Sequence, residues 1–286
     1  MKDQAKNLRK LANFRENTSR VIAITSGKGG VGKTILTANL AIALAKKGKK
    51  VLVLDADLGL ANIDVVLGLN PKYNLQHLIY GEKSIDEIMV DGPEGIKILP
   101  ASSGIQELTE LSSEEVEKIL SFIKDLDKKF DFLLIDTAAG ITKNVINFSA
   151  AASEIIVILT PEPTSLTDGY AVIKVINKKT KRTKFNLLIN MVKNEKEADE
   201  IFARMSLATN RFLHISPDYL GYILYDKDLI LSIKQQIPVL ELYPYALSSR
   251  CIKLLAEKLL NLDMEFKLQG NIRTFFRRLA NLLKKE

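Results

Sequence analysis

Short runs of consecutive apolar residues recur along the chain, and stretches whose apolar positions repeat every three or four residues alternate with them. The first pattern fits a strand buried on both faces, the second an amphipathic helix. Strands are predicted over Val21–Ser26, Val51–Asp55, Ile96–Pro100, Phe132–Asp136, Ile155–Thr160, Phe185–Asn190 and Gly221–Tyr225. Helices are predicted over Thr34–Lys47, Ser113–Lys129, Thr142–Ala152, Leu166–Lys178, Glu195–Phe212, Lys227–Gln236 and Ala246–Leu262. This alternation predicts an α/β fold, a doubly wound and mainly parallel sheet flanked by helices, with a site at the carboxyl ends of its strands. Residues 263–270 read as a linker to a last helix over 271–286. There, at about 100° per residue, Ile272, Phe275, Phe276, Leu279, Leu282 and Leu283 fall within an arc of about 120°.

Composition adds little to this frame, but the distribution of charge does. The chain has 286 residues, 47% of them hydrophobic, enough to bury a sizeable core. No apolar run approaches the roughly 18 residues that span a bilayer, and the first residues lack a signal-peptide core, so a cytoplasmic protein is expected. Cys251 is the single cysteine, which excludes an internal disulfide and a cysteine-held cluster. His77 and His214 stand apart, without metal-ligand spacing. The net charge is +7, and it belongs to the two ends. Residues 1–20 and 264–286 each hold six Lys/Arg against two acidic residues, which leaves the middle close to neutral. Basic ends suit an acidic partner or an anionic membrane.

The chemistry begins after the first predicted strand. Gly27, Lys28, Gly29, Gly30, Val31, Gly32, Lys33 and Thr34 spell G-x-x-x-x-G-K-T, and a helix-like run opens at Ile35. Strand before and helix after is the context that a phosphate-binding loop requires. The glycines let successive N–H groups point at phosphate oxygens, the helix adds its positive end, Lys33 offers charge, and Thr34 offers a hydroxyl to Mg²⁺. The segment Gly27–Ile35 is therefore assigned to nucleotide binding.

Lys28, directly after the first glycine, makes the motif K-G-G-x-G-K-T, and from Lys28 to Thr34 the chain resembles the MinD/ParA family of ATPases. The resemblance covers roughly residues 20–262. It implies ATP and Mg²⁺ as ligands, an ATP-dependent homodimer, and a role for Lys28 at the partner's nucleotide, with Lys33 serving its own. Val51–Asp57 resembles the family's switch I: Asp57 would position the attacking water and Asp55 would help hold hydrated Mg²⁺, with Asn62 near the partner's nucleotide. Phe132–Gly140 resembles a Walker B strand running into switch II, with Asp136 on Mg²⁺ through water and the Gly140 backbone sensing the γ-phosphate. The family more often has proline where Ala138 stands. Guanine readers carry Asn-Lys-x-Asp after a strand, whereas Asn190 is followed by Met191, which argues for adenine. By the resemblance, Asn190 and the Pro217-Asp218 pair should line the base pocket.

The terminal segments lead further. The last helix, with a basic face opposite two phenylalanines, reads as one that lies in a membrane interface, where each basic residue contributes about 1 kcal/mol at an anionic surface. Two such helices on a dimer would gain avidity, which places the protein on the inner face of the cell membrane. At the other end, residues 1–19 carry Asp3, Gln4, Ala5, Leu8 and Arg9 in the pattern D-Q-A-x-x-L-R, with Asp3 as an N-cap. Ahead of a MinD-like domain this resembles the flagellar FlhG subfamily, whose motif stimulates FlhF, a GTPase of the signal-recognition-particle type. The resemblance implies a regulator of flagellar number and placement, with FlhF-like GTPase, flagellar C-ring components or a flagellar transcription factor as partners. Rival readings are a MinD-type division-site regulator, a ParA-type DNA partitioner and a non-hydrolysing ATP-binding scaffold. Sequence-specific DNA binding is not expected.

Overall fold

A computed structural model describes residues 19–57, 63–100, 120–123, 125–182, 184–261 and 270–284. In chain order the elements are β1 (Arg20–Ser26), α1 (Lys33–Ala45), β2 (Val51–Ala56), α2 (Ile63–Leu67), α3 (Leu75–Ile79), α4 (Ile85–Ile88), β3 (Val90–Asp91) and β4 (Lys97–Pro100). Then come α5 (Leu126–Lys129), β5 (Phe132–Ala139), α6 (Lys143–Ala151), β6 (Glu154–Leu159), α7 (Pro163–Thr180) and β7 (Asn186–Val192). The remaining elements are α8 (Glu195–Leu213), β8 (Asp218–Leu224), α9 (Lys227–Lys234), α10 (Val239–Leu242), α11 (Leu247–Asn261) and α12 (Ile272–Lys284).

The eight strands form one sheet in the order β3-β4-β2-β5-β1-β6-β7-β8. Every pairing is parallel except that of β3 with β4. Alternate residues of each strand enter different cores. Ile22, Ile24, Val53, Leu134 and Ile156 pack beneath α1, α2, α10 and α11, while Val21, Ala23, Leu54, Leu133 and Ile135 meet α3, α6 and α12. Farther along the sheet, Val157, Leu187 and Ile189 pack against α7 and α8. Burial on both faces explains why the strands read as apolar runs. It also sets β1 and β5 side by side in mid-sheet, with the loop after β1 emerging at the carboxyl edge.

At the other edge of β1, Arg20 and Glu154 form a buried ion pair. Arg20 Nε and Nη2 each donate to one carboxylate oxygen at 2.7 Å, Nη1 donates to the Leu259 carbonyl at 2.5 Å, and the guanidinium lies over the Phe132 ring. This ties β1, β6 and α11 together.

The last helix is docked on the body. Ile272, Phe275, Phe276, Leu279 and Leu283 are buried, and Leu282 packs partly buried against the same cluster. Phe275 stands 6.2 Å from Phe148 of α6, ring centre to ring centre. Its first turn is capped from outside: Asp127 of α5 accepts from Ile272 N at 2.7 Å and from Arg273 N at 3.3 Å, and also from the Ser19 hydroxyl at 2.6 Å. Such a carboxylate satisfies amide groups that a helix start otherwise leaves unpaired. Among the described residues, no helix is long and apolar enough to cross a membrane.

Candidate functional site

Strand register builds the site. Asp55 of β2 and Asp136 of β5 are directly paired, and Ile24 of β1 is paired with Asp136 on its other side. Two carboxylates thus sit beside the loop that leaves β1. That loop turns into α1 through Gly32, whose φ of 87° lies in the left-handed region, where glycine meets no steric penalty. Gly27 is required for a different reason: a Cβ there would stand 2.2 Å from the Asp168 backbone of α7.

The two loop lysines have different surroundings. Lys33 is buried, and its Nζ donates to the Ser26 hydroxyl at 3.0 Å. Burial lowers its pKa, although the charges of Asp136 and Asp57 act the other way. Ser26 in turn donates to the Lys28 carbonyl at 2.7 Å, which fixes the loop. Lys28 instead lies at the rim, where its half-exposed ammonium pairs with Glu162 and donates to the Thr164 hydroxyl at 3.0 Å. Both partners stand at the start of α7.

Asp136 is fully buried. Desolvation pushes its carboxyl up to about 7 and the neighbouring Asp55 adds to this, against hydrogen bonds from Thr34 and Thr37 and the charge of Lys33. Thr37 donates to Oδ1 at 3.2 Å, while Oδ2 is buried without a hydrogen-bond partner. An orphaned carboxylate oxygen beside a second carboxylate and a threonine hydroxyl fits a hard divalent cation, whose charge would reverse the effect of burial. Asp57 follows β2, its N–H donating to Asp55 Oδ1 at 3.3 Å. Gly140, at φ 94°, donates its N–H to the Ser26 carbonyl at 2.9 Å.

The flank of the loop nearest β7 and β8 is apolar. Gly32, Ile35, Leu36, Asn190, Met191, Ile223, Leu229, Ile233 and Ile252 line a small cavity beside the loop. Asn190 Nδ2 donates to the Val31 carbonyl at 2.8 Å and Oδ1 accepts from Met191 N at 2.9 Å, so the amide staples β7 to the loop. Pro217 and Asp218 do not join this cavity, which corrects the sequence-based expectation. Asp218 opens β8 and pairs with Asn186 at the amino edge of the sheet, whereas the edge nearest the loop is reached at Leu224, paired with Val192. In an open parallel sheet a ligand sits at the carboxyl ends of the strands, and β8 ends at Leu224, with Tyr225 and Asp226 following it. Asn62 and the segment Asp3, Gln4, Ala5, Leu8 and Arg9 lie outside the described residues.

Sequence reasoning missed Ser26, Thr37, Glu162 and Thr164. Thr37 carried a signal: it lies four residues after Lys33, on the same face of α1.

Known proteins bear on this geometry. A family model described as an AAA domain matches residues 19–189. The chain is 40% identical to the antiactivator FleN of Pseudomonas aeruginosa, over 91% of this chain and 93% of FleN. It is 35% identical to the flagellum site-determining protein YlxH of Helicobacter pylori, over 98% of this chain and 97% of YlxH. The solved structure of the septum site-determining protein MinD of Pyrococcus horikoshii, complexed with Mg-ADP, is similar with a TM-score of 0.66 at 27% identity, covering 86% of this chain and 99% of that one.

Proposed function

The chain belongs to the MinD/ParA family of P-loop ATPases, in the branch that holds FleN and YlxH, and on that footing we propose that it is an ATP-hydrolysing switch controlling the number and placement of flagella. In this reading it cycles between an ATP-bound, membrane-associated dimer and an ADP-bound monomer. The observation that carries it is the division between the two lysines. Lys33 is buried at the chain's own site, whereas Lys28 is held by Glu162 and Thr164 at the rim, available to a second copy.

Phosphoryl transfer to water asks the protein for position and charge. The loop N–H groups and Lys33 bind the phosphates of ATP, and the apolar cavity takes the adenine. Asp57 orients a water whose oxygen attacks the γ-phosphorus as the bond to ADP breaks. Lys28 of the second copy neutralises the charge that develops. Thr34, Asp55 and Asp136 are the residues that would hold Mg²⁺, which when bound supplies positive charge to the phosphate oxygens.

Membrane association follows from α12. Its apolar stripe, Ile272, Phe275, Phe276, Leu279, Leu282 and Leu283, is packed on the domain, so it must leave the body to enter lipid. Wild-type protein should sediment with anionic vesicles in ATP and much less in ADP, since two released helices bind cooperatively. Phe275→Glu/Phe276→Glu should release the helix yet stay in the supernatant. Equal sedimentation of the two proteins would sink the membrane role.

The amino-terminal segment is proposed to stimulate an FlhF-like GTPase. A helix capped at Asp3 would dock Ala5 and Leu8 in a groove, with Arg9 aiding encounter and Gln4 reaching an attacking water through its amide. A peptide of residues 1–20 should raise GTP turnover by such a partner, and Gln4→Ala should abolish the gain. An inert wild-type peptide would favour a division-site regulator instead.

A further inference from the structure

At the amino edge of the sheet, far along the strands from the phosphate-binding loop, two arginines from separate elements approach one turn, that of Ala152 and Ser153. Arg182 follows α7. Its Nη2 donates to the Ala152 carbonyl at 2.5 Å, while Nη1 is buried with no hydrogen-bond partner. Arg278 of α12 lies against the same turn. Its Nη1 is 3.6 Å from where a Cβ on Gly270 would stand, and the Gly270 carbonyl accepts from the hydroxyl of Ser153, the residue after Ala152, at 2.9 Å. The carboxylate whose charge reaches Arg182 is Glu154, and both its oxygens are taken by Arg20.

Burial and then the charge of Arg278 bring the Arg182 pKa down to about 10, which leaves it fully charged at neutral pH. Lys178 and Lys181 lie in the same stretch of sequence as Arg182 and add to its positive charge. A buried guanidinium nitrogen left unpaired, next to a second cation, is unfavourable unless an anion completes it.

We propose that Arg182 and Arg278 form a binding site for a phosphate group, bridging the body of the domain and α12. Guanidinium forks match phosphate oxygens two at a time, and a tetrahedral anion can accept from two forks that approach from different directions. The group could be free inorganic phosphate or the headgroup of an anionic phospholipid, since both present the same oxygens. Either would tie α12 to the body.

The test uses the full-length protein saturated with Mg-ADP. Amide exchange in residues 272–284 is followed with inorganic phosphate against chloride of equal ionic strength. Phosphate should slow exchange severalfold in the wild type. Arg182→Gln and Arg278→Gln should each weaken this response, with half-saturation at about tenfold more phosphate or higher. Arg277→Gln, on the same helix, should respond like the wild type. In a second arm the same proteins are sedimented with phosphatidylglycerol and with phosphatidylcholine vesicles. A response to phosphate identifies a free-anion site, and a response confined to phosphatidylglycerol identifies a headgroup site; both support the proposal if the two variants lose it. Wild-type indifference to phosphate and vesicles overturns it, as do variants that respond like the wild type. Duplex DNA binding that the two variants lose, without any phosphate effect, would overturn it in favour of a nucleic-acid surface. Arg278 is exposed, so its variant remains informative if Arg182→Gln folds poorly.

Discussion

Lys28→Ala should lower ATP turnover by a factor on the order of 10²–10³, with nucleotide affinity in the single chain nearly unchanged. Lys33, Ser26 and the loop amides stay in place, because the Lys28 side chain supports none of them: it contacts Glu162 and Thr164. What is lost is a cation that acts only when a second copy closes the site. A charge that serves the transition state and not the ground state lowers turnover without weakening binding. Asp57→Ala should lose turnover to a similar extent for another reason, since the attacking water is no longer oriented. That variant should accumulate as an ATP-bound dimer. Steady-state hydrolysis with light scattering in ATP and ADP separates the two. Undiminished hydrolysis in both variants would remove the proposed mechanism.

The second large effect falls on stability. Glu154→Ala should cost about 3–5 kcal/mol in denaturant unfolding, because it strips two charged hydrogen bonds from a guanidinium that stays buried. Neither side chain reaches solvent to compensate, at 2% exposure for Arg20 and 0% for Glu154. The pair lies at the amino edge of β1 and β6, away from the loop, so nucleotide affinity should survive in the folded fraction. Arg20→Met combined with Glu154→Leu should recover much of the loss, since two apolar side chains bury no charge. A single-variant cost below about 1 kcal/mol would mean that water reaches the guanidinium and that the site is not sealed.

Most of the sheet is legible in the sequence because strands buried on both faces leave apolar runs, and all seven predicted strands appear with ends shifted by a few residues. The eighth, Val90–Asp91, is too short to show alternation, and it pairs antiparallel at the edge. Helices as brief as Ile63–Leu67 or Val239–Leu242 complete little more than one turn, so no period exists to detect. The phosphate-binding loop was legible because its chemistry is contiguous. Glu162 and Thr164 were not, because ordinary residue types gain a role only once α7 closes on Gly27. Pro217-Asp218 was misplaced although the sequence held the remedy: the pair precedes its strand, and parallel strands offer their far ends to a ligand. The amphipathic pattern of α12 likewise shows that one face needs cover and is silent on whether protein or lipid provides it.

Asp127 makes neighbours of the two tails of the chain. One of its oxygens takes the Ser19 hydroxyl at 2.6 Å and the first amide of α12 at 2.7 Å, so the segment leading out before β1 and the helix arriving after α11 are fastened to a single peg. Removing the peg with Asp127→Ala takes a hydrogen bond from both segments at once, so a change at one end of the chain is felt at the start of the other.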